Sequence, residues 1–303
     1  MSKINPADIV ASVQKLYAKD KRSQEIISTG DKVKTTYTKD DVVTAPDGHP
    51  LTVLTGLPGI PYNKMIEVAG EPDTGKSTFG DTLLAHAQKT GIQCIKWDSE
   101  DKFDAHRYKE EYGGDPDSLF LIKTNETLRG GEMVRKFVTA IKTADPSAKI
   151  LINWDSVGGS QSRTHAEREL DDEKHAQPGQ DAKENAQVMK MLVALMNKYP
   201  DSIAVYMANQ VYAKIGFMMH GNASSGGKKI EFFSSLRIQL KRVKVLTKTI
   251  NKVKVKYGII NKATVLKNHL SQGKNSVYEQ QFTITASGYQ PCDEDLSDAS
   301  DEE

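Results

Sequence analysis

The octet Gly70-Glu71-Pro72-Asp73-Thr74-Gly75-Lys76-Ser77 meets every fixed position of the phosphate-loop pattern G-x-x-x-x-G-K-[ST]. Its chemistry is that of holding phosphate. The glycines let backbone N–H groups turn inward around phosphate oxygens, and the N-terminus of a following helix adds a favourable dipole. Lys76 is expected to reach the terminal phosphates, and the Ser77 hydroxyl to hold Mg²⁺. The motif needs a strand before it and a helix after it. Met65 to Ala69 is an apolar run that reads as a strand, and Thr78 to Lys89 reads as a helix. A Gly/Pro-rich surface turn, the plain alternative, has no reason to be framed this way. The chain is therefore expected to bind a nucleoside triphosphate.

Three other segments end apolar strands in polar side chains. Ile150 to Ser156 closes on Asp155, and an acid at the tip of a neighbouring strand faces the metal shell in a phosphate-loop fold. Ile95 to Glu100 offers two carboxylates, Asp98 and Glu100. Either could polarise a water for attack on the γ-phosphate, because hydrolysis needs only one acid aimed in line. Ala208-Asn209-Gln210 ends in an amide able to touch that phosphate and report its presence.

The stretch after Gln210 has no helical or strand period. Residues 211–227 are rich in Gly, Ser and Met, with Ile215, Phe217 and Met218 uncovered. Such side chains in a loop require a partner, and the stacked bases of DNA are one. A lid folded onto the protein's own core is the other reading. Residues 158–180 form a second long polar stretch, and long aperiodic stretches in a compact domain are usually functional.

Charge supports a polyanion partner. The formal net charge is +1, yet residues 232–278 contain no acid and carry eleven Lys or Arg, while the last eleven residues hold seven acids. At 38% hydrophobic and 27% charged, the 303 residues suit a soluble α/β protein with a sizeable core. No apolar run reaches membrane-spanning length, and the N-terminus lacks the apolar core of a secretory signal. Cys94 and Cys292 form no metal-spacing pattern. A cytoplasmic protein is expected.

The elements that must position these residues alternate. Strands are predicted at 65–69, 93–98, 119–124, 149–154 and 203–208, and helices at 78–89, 131–143 and 181–198. Alternation of this kind means a mostly parallel sheet covered on both faces. After Ser234 the period becomes two, as in Lys252-Val253-Lys254-Val255-Lys256-Tyr257. That predicts an antiparallel C-terminal extension with a lysine-rich face. Ile9, Val10, Val13, Leu16 and Tyr17 lie at helical spacing ahead of the core. The domain reading is residues 1–34 as an N-terminal helix and linker, 35–288 as an α/β ATPase core, and 289–303 as an acidic disordered tail.

The phosphate loop, Trp97-Asp98-Ser99-Glu100, Asp155-Ser156-Val157, Asn209-Gln210, Lys214-Ile215-Gly216 and the block from Gly226-Gly227 to Phe232-Phe233-Ser234-Ser235-Leu236-Arg237 resemble a RecA-type homologous recombinase. The short body and acidic end are similar to the phage UvsX-type members, so a phage gene in a bacterial cell is an expected source. The resemblance implies a RecA-like core, with ATP and Mg²⁺ held by Gly70 to Thr78. Glu100 would be the catalytic carboxylate, Gln210 the γ-phosphate sensor, and Ser77 and Asp155 the metal residues. Asp104 and Tyr108 would bind adenine.

Lys267 and His269 would stand where two cross-interface lysines act in bacterial RecA. Glu231 occupies a position usually basic. DNA would meet Lys214, Ile215, Gly216, Phe217, Met218, Gly226 and Gly227 in one loop, and Arg163 and Arg168 in the other. The N-terminal helix and Glu25–Thr29 would dock on the adjacent subunit of a helical filament. The C-terminal globular domain of bacterial RecA would have no counterpart, and the basic sheet from Arg237 to Lys274 would take its part in duplex capture. The implied function is ATP-dependent filament formation on single-stranded DNA, with strand exchange into homologous duplex and DNA-stimulated hydrolysis. A ring helicase on the same fold and a non-hydrolysing DNA-binding mediator are the rivals.

Overall fold

Strands that are apolar on both sides require cover on both sides, and the central strands here are buried along most of their described length. The computed structural model describes residues 5–16, 36–163, 165, 179–213, 222–224, 227–270 and 277–292. Its sheet is built on β3 (Met65–Gly70), β4 (Gln93–Asp98), β5 (Leu119–Lys123), β6 (Ile150–Asp155) and β7 (Ile203–Ala213). Two short strands precede them, β1 (Val42–Thr44) and β2 (Gly59–Pro61), which pair only with each other. β8 (Asn222–Ser224) pairs with β7. β9 (Leu236–Ile250), β10 (Val253–Asn268), β11 (Glu279–Thr285) and β12 (Gly288–Pro291) complete the set. The order is β12-β11-β10-β9-β3-β7-β6-β4-β5. From β9 to β5 neighbours run parallel, and from β9 to β12 they run antiparallel.

Alternate strand residues feed two cores. Ile66, Val68, Leu151, Ala204 and Tyr206 face Phe79, Leu83 and Leu84 of α3 (Lys76–Lys89). Met65, Ile150, Ile152, Trp97 and Trp154 face Val134 and Val138 of α5 (Thr127–Ala144), and Val188 and Leu192 of α6 (Gln180–Lys198). Trp97 and Trp154 are register partners on adjacent strands, and their rings stack 4.3 Å apart at 8°. Gly80 allows α3 its close approach, since a Cβ there would lie 2.5 Å from the Tyr206 ring. Two shorter helices lie earlier in the fold, α2 (Pro50–Thr55) and α4 (Ala105–Glu110), and α7 (Lys228–Phe233) precedes β9.

The predicted parallel core is present within a residue or two at most boundaries. Three differences have physical reasons. β1 and β2 are too short to leave a period in the sequence. The extension starts with one long ribbon: β9 and β10 pair from Leu236↔Asn268 to Val253↔Ile250, around a two-residue turn in which Asn251 and Lys252 have φ of 50° and 66°. Beyond Lys241 and before Gly258 this ribbon is largely exposed, so its sequence carries no core-facing apolar stripe. The predicted tail at 289–303 begins too early: Gly288–Pro291 is a strand, and Tyr289 is anchored by its hydroxyl to the Gly75 carbonyl at 3.0 Å. Residues 293–303 lie outside the described residues.

The chain divides into units 1–37 and 38–303. In the first, α1 (Pro6–Leu16) carries Ile9, Val10, Val13 and Leu16 as its apolar stripe. Tyr17 and Glu25–Thr29 lie outside the described residues. Among the described residues no helix is long and apolar enough to cross a membrane.

Candidate nucleotide-binding and catalytic site

The phosphate loop connects β3 to α3 as its motif requires. Asp73 and Gly75 both take positive φ, 59° and 80°, so backbone N–H groups are turned toward one side. The first turn of α3 has no side-chain cap, which leaves its N-terminal donors to an anion. The loop is braced from beneath. Thr74 Oγ1 donates to the Glu71 carbonyl at 2.8 Å, Tyr206 OH to the Lys76 carbonyl at 2.6 Å, and Asn261 to the Thr74 carbonyl. Lys76 Nζ lies on the Glu71 carbonyl at 2.7 Å. Burial lowers the Lys76 pKa, and the carboxylates of Asp155, Glu100 and Asp73 only partly offset that. Such an ammonium gains from a phosphate partner.

Strand register brings the other site residues to the same edge. Gly70 is level with Gln210 of β7, and Asp98 of β4 is level with Asp155 of β6. Ligands of open α/β sheets collect at this carboxyl edge. The tips of β4 and β6 are tied together: Ser99 Oγ donates to the Ser156 carbonyl at 2.7 Å and accepts from the Ser156 N–H at 2.9 Å.

Of the two candidate bases, only Glu100 faces the site. Its Oε1 accepts from Ser156 Oγ at 2.5 Å and from Gln210 Nε2 at 3.0 Å, and its Oε2 from Lys102 Nζ at 2.5 Å. Burial pushes the Glu100 carboxyl up, but the bonds from Lys102, Ser156 and Gln210 outweigh it and hold it below the ordinary glutamate value. Asp98 is buried and engaged elsewhere, accepting from the backbone N–H of Phe103 at 2.8 Å and of Glu100 at 3.3 Å.

The residues present fit a magnesium–nucleotide. Ser77 is exposed at the start of α3, and Asp155 stands at the tip of β6, which is separated from β3 by β7. Among the described residues no cluster of three His, Cys, Asp or Glu could hold a metal by itself. A hydroxyl, one carboxylate and the phosphates of a bound nucleotide would make the shell that Mg²⁺ prefers.

Asp104 caps α4, accepting from the Arg107 N–H at 3.0 Å, and remains exposed. Tyr108 requires a correction. It is 1% exposed, packed against Phe103 with its hydroxyl on Gln88 Oε1 at 2.8 Å, and offers no ring face to a base. Two half-buried aromatics lie beside the loop: Tyr289, on the Gly75 carbonyl, and Tyr112, whose hydroxyl lies 3.4 Å from Thr78 Oγ1 and whose ring lies under the Arg107 guanidinium.

Lys267 and His269 are not part of this site within one chain. Lys267 pairs with Arg237, which is level with Glu67 at the start of β3, the opposite edge of the sheet from Gly70. There Lys267 Nζ caps α7 by bonding the Glu231 and Phe232 carbonyls at 2.9 and 3.3 Å. Glu231 itself pairs with Arg237, which also meets the fully buried Glu67 at 2.5 Å. Of the expected DNA residues, Arg163 and Gly227 are exposed. Lys214, Ile215, Gly216, Phe217, Met218, Gly226 and Arg168 lie outside the described residues.

Two charged residues at the site escape sequence reading. Lys96 lies in the middle of β4, 2% exposed, with Nζ 2.6 Å from Asp81 Oδ1 of α3 and 3.2 Å from Asp155 Oδ2. Burial opposes its charge, yet the two carboxylates outweigh burial and raise its pKa above the ordinary lysine value. The available signal is a lysine inside an apolar strand, which needs a buried partner.

The family described as RecA N-terminal domain matches residues 9–283. The RecA protein of Ureaplasma parvum serovar 3 is 29% identical over 219 residues, covering 72% of this chain and 61% of that protein. That of Deinococcus radiodurans is 27% identical over 253 residues, covering 83% and 61%. That of Nautilia profundicola is 30% identical over 212 residues, covering 68% and 57%. The chain spans about three fifths of the length of these curated relatives. With a family match over nearly its whole length and a phosphate loop, Glu100, Asp155 and Gln210 at one sheet edge, this chain belongs to the RecA family.

Proposed function

We propose that this chain is an ATP-dependent DNA strand-exchange protein that assembles as a helical filament on single-stranded DNA and hydrolyses ATP when DNA is bound. The observation that carries the reading is the hydrogen bond between Glu100 and Gln210, because it joins the residue suited to activating water to the strand that leads into residues 214–221. The loop from Gly70 to Thr78 cradles the phosphates, with Lys76 leaving the Glu71 carbonyl to meet them. Ser77 and Asp155 hold Mg²⁺, which when bound supplies charge neutralisation at the phosphates. Asp104 contacts the base. Glu100 orients a water and takes its proton as the phosphoryl bond breaks.

Gln210 has one amide and two competing acceptors. In the structure it donates to Glu100, and a γ-phosphate in the cradle would compete for it. Its two positions are the two ends of a switch that the following loop reads. DNA loops at 158–180 and 211–227, docking of α1 on an adjacent subunit, and Lys267 and His269 acting across the interface belong to the same proposal. Lys267 caps α7 within its own chain, and a role in hydrolysis would be exerted toward a neighbour.

The test is ATP hydrolysis with and without single-stranded DNA, for the wild type and Gln210→Ala. Stimulation by DNA in the wild type, lost in Gln210→Ala while nucleotide still binds, is the expected result. Binding that is coupled in one direction must be coupled in the other, so ATP should also tighten DNA binding in the wild type only. An ATPase indifferent to DNA would contradict the proposal.

A further inference from the structure

The magnesium–nucleotide site has a buried charge array behind it, formed by Asp81 on α3, Lys96 in the middle of β4 and Asp155 at the tip of β6. One ammonium serves both carboxylates, at 2.6 and 3.2 Å, and is itself 2% exposed. The side chain is walled in by the Phe103 ring, 5.5 Å from Nζ. Across the strand pair, Lys96 is in register with Asn153, whose Oδ1 and Nδ2 are both buried without a partner. A lysine placed so is costly unless its bonds are well made.

We propose that Lys96 is a positioning residue of the magnesium–nucleotide site: its ammonium, shared between Asp81 and Asp155, sets the Asp155 carboxylate at the strand tip and thereby sets how much Mg²⁺ nucleotide binding requires. The inference rests on the reading of Gly70 to Thr78, Ser77 and Asp155 as that site. The carboxylate of Asp155 has two oxygens. Lys96 claims Oδ2, which leaves Oδ1 for the metal. This is the way outer groups orient ligands at metal sites, and their loss typically costs about 10- to 100-fold in metal affinity.

The test is titration of Mg²⁺ against a fixed concentration of a fluorescent ATP analogue, with metal-free binding of the same analogue measured in EDTA. The variant is Lys96→Met with Asp81→Asn. It removes one positive and one negative charge, so the net charge of the array is unchanged, and a buried ion pair replaced in this way need not destabilise the fold. The expected result is a rise of about tenfold in half-saturating Mg²⁺, with metal-free affinity unchanged. In an Asp155→Ala background the same variant should raise the requirement no further than Asp155→Ala alone, because Lys96 acts only through that carboxylate.

A merely structural ion pair would leave half-saturating Mg²⁺ within about twofold of the wild type, and that result overturns the proposal. Should the double variant fail to melt cooperatively, Asp81→Asn alone is the second test. It leaves Lys96 wholly to Asp155, so the Mg²⁺ requirement should again rise, and an unchanged value overturns the proposal. Wild-type protein that binds no nucleotide at any Mg²⁺ concentration overturns the site itself and this inference with it, an outcome distinct from variants that match a binding wild type.

Discussion

Gln210 Nε2 donates to Glu100 Oε1 across 3.0 Å, so the tip of β4 and the strand β7 share one hydrogen bond at the mouth of the phosphate loop. Ser156 Oγ meets the same carboxylate oxygen. Glu100 is thus held by three donors and kept ionised, the state a general base needs.

Glu100→Gln should bind ATP as the wild type does and lose hydrolysis by about 10²- to 10⁴-fold, the usual contribution of a positioned base. Single-turnover hydrolysis and equilibrium nucleotide binding check this together. Normal hydrolysis in the variant would remove Glu100 from the role. Since bonds from Lys102, Ser156 and Gln210 hold its pKa below the ordinary glutamate value, the acid limb of the wild-type rate profile should lie below that of a free glutamate.

The β9–β10 ribbon carries a second prediction. Lys254 and Lys256 lie opposite Thr249 and Thr247 on one face, beside Lys252 in the turn, and their side chains are exposed. Changing Lys252, Lys254 and Lys256 to Gln should weaken duplex DNA binding. It should also flatten the plot of log K against log salt by about 0.9 for each phosphate no longer neutralised. Melting temperature should not move, since no core residue changes. Unaltered duplex uptake would exclude the ribbon as a duplex-binding surface.

His49 predicts an acid-side loss of stability. It caps α2, with Nδ1 accepting from the Leu51 N–H at 3.2 Å and Nε2 facing the Phe79 carbonyl at 3.3 Å. Both contacts are satisfied only by a neutral ring protonated on Nε2. Burial drives the pKa from 6.5 down to about 3, with the Phe79 carbonyl opposing and the neighbouring His86 adding to the fall. Between these values the unfolded chain binds a proton that the folded chain refuses. Stability therefore falls as pH drops from 6.5 toward 3, by up to about 1.4 kcal/mol per pH unit from this residue. His49→Asn keeps a capping acceptor and cannot titrate. Its denaturation free energy should show a shallower acid slope over that window, and an identical slope would contradict the assignment.

Much of the site is legible in the sequence because its chemistry is local. A phosphate loop needs glycines, a lysine and a hydroxyl at set spacing, and apolar strands ending in Asp155, Glu100 and Gln210 announce a sheet edge. The choice between Asp98 and Glu100 is not local. It depends on Asp98 turning to the Phe103 N–H, which only the folded turn after β4 creates. Tyr108 misleads because the resemblance carries over a position in the sequence and not the phase of the helix at that position. The start of α4 at Asp104 aims position 108 into the core and leaves Tyr112 beside Thr78. Asp81 and Lys96 belong to different elements and meet only when α3 lies across β4 and β6. The ribbon reads only in part: Lys252 to Tyr257 alternates and announces a strand, but the arm it pairs with, Lys241 to Ile250, is largely exposed and has no covered face to mark it in the sequence.

The central claim is that nucleotide bound at the Gly70–Ser77 loop governs assembly on DNA. Electron microscopy of the purified chain with single-stranded DNA, Mg²⁺ and a slowly hydrolysed ATP analogue tests it most directly. Regular helical filaments are expected with the analogue and not with ADP or without nucleotide. Particles that stay monomeric, or closed rings that ignore the nucleotide state, would contradict it.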